Sequence, residues 1–497
     1  MIHCNQQQTA EETTREEPFR NILFIIGDDH TTNVLGCYGN ELIRTPHLDR
    51  MAARGVRFTH AYANSPLCSA SRQSMLTGRY PHAAGVTLLT TSFPEEQITL
   101  ADHLKNYGFA TGIIGKNHFN NNLNHGFDYK IERSDYQAYL EENPPREVPD
   151  SIRIRPPWKP FRDPARIWLN ADHLPGGYYD ENDIGTYYAN KAVDFINQHK
   201  NERFLLWVGF HEPHSPFNFP VEYAGKYDLE EMPLPTGSPE DDRWIPEEFK
   251  DLTDEEKRGI IAAYYASVEY LDKNVGLMLD GLEAAGLDEN TLVVYVGDHG
   301  YLLNDHKRFE KHMMWEPAVQ APLILQAAGR YGESRVIENL TEFVDLVPTL
   351  TEAVGVDPLT EAQGKSLMPL LTGATDQHKE YIFSEFLADN KAMVRNKAWK
   401  YIFTTGQRDL QQGYATGNPP PGITHRLYDQ VNDPDETRNL ANHPEYLDIV
   451  AQMQEEMIAW FEDTHPHASE IGDTLSTEEK LVLFCEPPEG NDELDAH

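Results

Sequence analysis

A chain of 497 residues that is 39% hydrophobic can bury a sizeable core, and its length suits one large domain with a smaller companion. Its formal net charge of −38 argues against nucleic acid or an anionic membrane surface as a partner. No apolar run reaches the length of a membrane span, and Cys4, Cys37, Cys68 and Cys485 form neither a disulfide framework nor a zinc knuckle.

Residues 1–17 are polar and aperiodic, which reads as a disordered tether. Cys4 has the place of an acylated lipoprotein cysteine, a possible lipid anchor, but no hydrophobic signal core precedes it. Asn21–Gly27 is a continuous apolar run, the pattern of a strand buried on both faces, and it ends in Asp28-Asp29. Thr45-Pro46 opens a helix with a capping residue and a first-turn proline, and Gly55 closes it. After the proline-broken loop at Pro66, residues Ser69–Thr77 suit a short helix. Cys68 then sits over unpaired N–H groups and the positive end of the helix dipole, with Arg72 one turn along. That environment suits an anion at or beside residue 68.

Thr99–Tyr107 reads as a helix stopped by Gly108, and Phe109–Gly115 as a second buried strand ending in Lys116-Asn117-His118. From about Asn120 to Pro175 the periodicity dissolves into prolines, aromatics and arginines, an insertion that would shape a substrate mouth. Tyr187–His199 is helical. Arg203–Phe210 is a third strand, running into His211-Glu212-Pro213-His214. Thr253 and Glu256 form a capping box that starts a long amphipathic helix toward Ala285. Thr291–Gly297 is the fourth strand and stops at Asp298-His299-Gly300. Beyond Gly373 come short aromatic, alternating runs near residues 381–386, 392–395, 399–403 and 426–429, then a helix over Tyr446–Phe461. These predict a catalytic domain over 18–375 and a smaller α+β domain with an antiparallel sheet over 376–497.

Strands alternating with helices predict an α/β fold, a parallel or mixed sheet covered on both faces, with ligands bound outside the carboxyl ends of its strands. Four apolar runs ending in Asp-Asp, Lys-x-His, His-x-x-His and Asp-His therefore point to one shared site. Asp28, Asp29 and Asp298 would repel one another there unless a cation joins them. Oxygen-rich ligation favours a hard divalent ion, calcium before magnesium and zinc third, with His299 as the odd ligand. Arg72, Arg79, Lys116, the run His306-Lys307-Arg308, Lys311 and His312 are candidates to reverse the global charge locally.

Cys68-x-Ala70-x-Arg72, followed by Leu76-Thr77-Gly78-Arg79, resembles the signature of the type I sulfatases, with Ala70 where the usual signature has proline. The resemblance runs from Asn21 to about Gly373 and implies an alkaline-phosphatase-like fold: a large mixed sheet sandwiched by helices. It further implies that Cys68 is oxidised to formylglycine by a formylglycine-generating enzyme. The hydrated aldehyde would bind the cation, attack the sulfur of a sulfate monoester and later release sulfate as the aldehyde re-forms. The same resemblance implies that Arg72 holds the modified side chain and that Lys116 and Lys311 clamp the sulfate. His118 would be the base, His214 the acid and His211 a substrate contact. Asp28, Asp29, Asp298, His299 and residue 68 would ligate the metal.

Finer likenesses diverge. His211–Phe217 and Gly297–Gly300 look like the iduronate-2-sulfatase and choline-sulfatase side of the family, whereas Gly112–His118 looks like the sulfamidase-type enzymes. The expectation is a sulfuric ester hydrolase, secreted or periplasmic, acting on a sulfated glycan, most simply in exo fashion. Its rivals are a phosphate or phosphonate monoester hydrolase or choline-sulfatase of the same superfamily, and a non-catalytic glycan-binding relative.

Overall fold

A computed structural model of the chain describes residues 17–153, 169–170, 177–243, 245–405, 422–472 and 474–488. Cys4, most of the expected tether and part of the insertion before Pro175 lie outside the described residues. The strands are β1 (Asn21–Gly27), β2 (Gly55–Phe58), β3 (Ala61–Tyr62), β4 (Phe109–Gly115), β5 (Tyr129–Ile131), β6 (Arg203–Gly209) and β7 (Thr291–Gly297). They continue with β8 (Leu323–Gln326), β9 (Arg335–Ile337), β10 (Thr341–Glu342), β11 (Ile382–Phe386), β12 (Lys391–Arg395), β13 (Trp399–Thr404) and β14 (Thr424–Asp429).

Eight strands make one sheet in the order β5-β4-β6-β1-β7-β8-β2-β9. The run from β5 to β7 is parallel throughout, and β8 lies antiparallel to both β7 and β2, so the sheet is mixed. β1 reads as an unbroken apolar run because both faces are covered. Ile22, Phe24 and Ile26 pack with Met75, Leu100 and Leu346 on one side, while Leu23 and Ile25 pack with Tyr188, Leu271 and Met278 on the other. The helices Cys68–Thr77, Leu100–Lys105 and Leu346–Ala353 thus cover the first face, and Ile184–Gln198 and Asp254–Ala284 the second.

The expected antiparallel sheet is present as β11-β12-β13-β14. Val394, Tyr401 and Leu427 pack against the helix Leu447–Thr464 through Met453 and Met457. Met393, Ile402 and Tyr428 on the other face pack against Leu67, Ala70, Met314 and Trp315. The small sheet therefore braces the segment that carries Cys68.

Two local expectations need correction. The stretch after Asn120 is not patternless: it contains β5 and a helix at Arg133–Glu142, started by a reciprocal capping box between Glu132 and Asp135. A glutamate in the capping position hides that signal. Thr45 does not cap its helix, and Gly55 begins β2 rather than closing a turn. The cap comes from the long helix instead: the Asp272 carboxylate accepts from the backbone N–H groups of Leu48 (2.7 Å) and His47 (3.1 Å).

That arrangement carries a pH signature. Burial pushes the Asp272 carboxyl up from its ordinary 3.8 to about 7, despite the N–H groups it accepts from. Between those values the unfolded chain holds fewer protons than the folded one. The contribution of this group is therefore full below 3.8 and is lost as pH rises through about 7. Asp272→Asn keeps an acceptor and removes the titration. Its stability relative to the parent should rise between pH 5 and pH 8 by on the order of 1–3 kcal/mol in urea unfolding. The same difference at both pH values would refute this account.

Candidate active site

The register of four neighbouring parallel strands brings the ionisable clusters together. Gly27 of β1 pairs with Gly297 of β7, Ile26 with Gly209 of β6, and Gly115 of β4 with Gly209. The residues that follow each strand must then emerge along one edge, and the ladder continues past the glycines. Asp298 N–H donates to Gly27 O at 3.0 Å, Asp28 N–H to Glu212 O at 3.0 Å, and Lys116 N–H to Gly209 O at 2.8 Å. Gly209 has no room for a side chain, since a Cβ would lie 2.2 Å from the Lys116 carbonyl oxygen and 2.7 Å from Arg72 Nη1.

Asp29 takes a left-handed backbone (φ 62°), a conformation aspartate tolerates better than most residues. It is held there by its N–H on Asp298 Oδ1 (2.9 Å) and by Tyr264, whose hydroxyl donates to its carbonyl (2.5 Å). Cys68 is the first residue of its helix, one position earlier than the sequence suggests. Leu67 offers no side-chain cap, and every residue of the helix is buried. Lys311 Nζ lies 2.9 Å from Cys68 Sγ and 2.7 Å from Asp29 Oδ1; His299 Nε2 lies 3.3 Å from the sulfur. Arg72 bridges the cluster: Nε donates to Asp298 Oδ2 (2.9 Å), Nη1 to the Lys116 carbonyl (2.8 Å), and Nη2 lies 3.6 Å from Asp28 Oδ1. Lys116 donates to Asp28 Oδ2.

Burial by itself would raise all three carboxyls. Lys116, His214 and Arg72 overcome it at Asp28, which is held well below the usual range, and His214, Lys311 and His299 overcome it at Asp29. Asp298 goes the other way, raised by burial and by Asp28. Burial, with Lys116 adding to it, keeps His118 and His211 neutral, and burial lowers His214 to about 4. The Cys68 thiol is pushed up by burial and by Asp28, so it is a poor thiolate source as it stands.

The donors fit a divalent cation. Asp28, Cys68, Asp298 and His299 each offer a ligand atom within 4.8 Å of the others, as do Asp28, Asp29, Cys68 and His214. Asp28 Oδ1 and Asp29 Oδ2 are buried without a hydrogen-bond partner, which a metal would supply. Three aspartates already face Lys116, Lys311 and Arg72, so a divalent ion would leave the site net positive inside an acidic protein.

Above this cluster opens a cavity of about 380 Å³ lined by Cys68, Lys116, His118, His211, His214 and Lys311. His312 also lines it, stacked on Phe386 of β11 with ring centres 4.8 Å apart. Arg133 and Asn218 line it too and carry no motif that would have marked them. Asp28, Asp29, Arg72, Asp298 and His299 lie beneath it, fully buried. Arg79 and the run His306-Lys307-Arg308 are elsewhere. Arg79 meets Gln97 and Glu361, while His306, Lys307 and Arg308 are occupied by Asp241, Asp242 and Glu310.

Residues 20–356 match the family model described as Sulfatase. The chain belongs to the sulfatase family. Residues 304–463 of this sulfatase also match the C-terminal model of N-sulphoglucosamine sulphohydrolase. It is 27% identical to the ulvan-active sulfatase of Formosa agariphila, over 90% of this chain and 82% of that protein. It is likewise 27% identical to the N-acetylglucosamine-6-O-sulfatase of Bacteroides thetaiotaomicron, over 97% of this chain and 91% of that one. In fold the sulfatase is similar to the phosphonate monoester hydrolase of Silicibacter pomeroyi, with a TM-score of 0.75 and 22% identity, covering 90% of this chain and 96% of that one. The alkaline-phosphatase-like architecture implied by the Cys68–Arg79 motif is therefore the observed one.

Proposed function

We propose that this sulfatase hydrolyses the sulfate ester of a sulfated carbohydrate, with position 68 carrying the nucleophile and Asp28, Asp29, Asp298 and His299 holding a calcium ion, or magnesium in its place. The single observation that carries this reading is the convergence on Cys68: Lys311 lies 2.9 Å and His299 3.3 Å from its sulfur, under a cavity also lined by Lys116, His118 and His214. Formylglycine at position 68 supplies a hydrated aldehyde oxygen as nucleophile, and the divalent ion supplies positive charge beside it.

The protein's own groups do the remainder. Lys116 and Lys311, paired with Asp28 and Asp29, hold the ester's sulfate oxygens and neutralise the charge that builds on them. His214 donates through Nδ1 to the Ser215 carbonyl at 2.6 Å, which leaves Nε2 to protonate the departing alcohol. Burial, with Lys311 and Lys116 adding to it, lowers this imidazole to about 4, and an anionic ester beside it favours the protonated form. His118, neutral and with Nδ1 lacking a partner, takes the proton when sulfate is released. Arg72 holds the ligand aspartates in place from below, and His211 contacts the sugar.

The glycan class is supported by the names of the relatives, an ulvan-active and an N-acetylglucosamine-6-O-sulfatase. No helix among the described residues is long and apolar enough to cross a membrane. Polymeric glycans are met outside the cytoplasm, so we place the enzyme in the periplasm or outside the cell, matured by a formylglycine-generating enzyme. The test is a substrate panel: aryl sulfate, aryl phosphate, phenylphosphonate ester and sulfated disaccharides, with released sulfate, phosphate and phenylphosphonate measured by ion chromatography. Preference for the sulfate esters, loss on chelation and recovery with calcium are expected. A preference for phosphate or phosphonate would replace this reading with the monoester hydrolase that shares the fold. A peptide mass over residues 66–82 reports whether the thiol has become an aldehyde.

A further inference from the structure

Arg133 is the first residue of the helix Arg133–Glu142, and its side chain is exposed at the cavity that holds the sulfate clamp. The acids nearest in sequence are engaged elsewhere. Glu132 accepts from Asn117 Nδ2 at 2.8 Å and pairs with Lys130 at 3.2 Å, and Asp135 accepts the Glu132 N–H at 2.7 Å to cap the helix. Among the described residues Arg133 has no carboxylate partner, whereas Arg146 meets Glu181 and Arg153 meets Asp150. In a chain of net charge −38, a guanidinium at an active-site mouth without a counter-ion is poised for an anion from outside.

Its position is fixed from two sides. The Glu132–Asn117 hydrogen bond ties this helix start to the residue after Lys116, so Arg133 stands near the sulfate clamp without belonging to it. Three residues on, Tyr136 lines the same cavity with its hydroxyl on the Asn182 carbonyl at 2.7 Å. Tyr188 stacks on His211, with ring centres 6.2 Å apart. Asn218 presents a buried Oδ1 without a partner to the same space, an acceptor for a sugar hydroxyl.

We propose that Arg133 recognises a second anionic group, a carboxylate or a further sulfate, on the sugar that bears the ester to be cleaved. A planar guanidinium matches either group through paired N–H donors, which an ammonium cannot reproduce. The enzyme would then select sulfated uronates or multiply sulfated amino sugars over neutral monosulfated sugars. This rests on the sulfatase reading above and names the substrate class within it.

Binding separates the two. Calorimetric titration of the full-length Cys68→Ala protein, which cannot turn over, compares a sulfated uronate disaccharide, a disulfated glucosamine disaccharide and a neutral monosulfated disaccharide. Adding Arg133→Ala should weaken one or both anionic ligands by about tenfold or more and the neutral one by less than about threefold. Arg133→Lys should recover only part of the loss. A loss confined to the uronate identifies the carboxylate as the second group, and one confined to the disulfated sugar identifies sulfate. Equal losses for all three ligands, or none, overturn the proposal. Sulfate release from an aryl sulfate by the protein with Cys68 intact tests the sulfatase reading separately, whatever the titrations return.

Discussion

Cys68→Ala is expected to abolish sulfate release from every ester, a fall of roughly 10⁴-fold or more, because the proposed mechanism needs the thiol whose oxidation yields the aldehyde that carries the nucleophile. Folding should survive. The helix Cys68–Thr77 is held by the Ser71 hydroxyl on the Asp298 carbonyl, by Arg72 and by Gln73 on the carbonyls of Asn117 and His118, none of which touches the sulfur. Losing one buried sulfur leaves a small cavity worth about 1 kcal/mol, visible as a modest fall in Tm. Lys311 loses its contact with the sulfur but keeps Asp29 at 2.7 Å. Initial-rate assays beside thermal unfolding make the measurement. A folded Cys68→Ala protein that still turned over sulfate esters would remove the mechanism proposed here and the formylglycine-based phosphonate alternative with it.

Arg72→Met should be the most destabilising single change near the site. Its guanidinium is 2% exposed and faces Asp28 and Asp298, both fully buried, while also serving the Lys116 carbonyl. Removing one partner of a buried ionic group strands the other charges, at a cost of about 3–5 kcal/mol. Arg72→Lys should rescue little, because one ammonium cannot span two carboxylates and a carbonyl. Urea unfolding in chelator reads the loss. Adding calcium should narrow the gap between variant and parent, since a cation among the aspartates takes over part of the neutralisation. Unchanged unfolding midpoints for Arg72→Met would show that the carboxylates are neutralised without it.

How much of this was legible in the chain varies from segment to segment. β1, β4, β6 and β7 could be read because strands covered on both faces need no polar alternation, and each closes on a glycine with ionisable residues next, after Phe210 in the case of β6. β2, β8 and β9 were missed: they are four residues or fewer, with polar positions that blur the pattern. Among the basic candidates, residue type alone did not separate His306-Lys307-Arg308 from Lys311, and only the family resemblance marked Lys311. In the structure the run is engaged by Asp241, Asp242 and Glu310, the first two some 65 residues away. The Asp272 cap reaches across 224 residues to Leu48, beyond any local signal.

By itself the sequence determined the family through Cys68–Arg79, the buried strands and the polar groups at their ends, since these follow from neighbours along the chain. Only the tertiary structure decided which charges meet. The pairing of Gly27 with Gly297 and of Gly115 with Gly209 sets three carboxylates and Lys116 around one point, where the helix of Cys68 and the loop of Lys311 meet them, and Arg133 faces the cavity without a carboxylate partner among the described residues. The physical reason is that burial and ion pairing depend on distance through space, and strand register converts remote positions in the chain into neighbours.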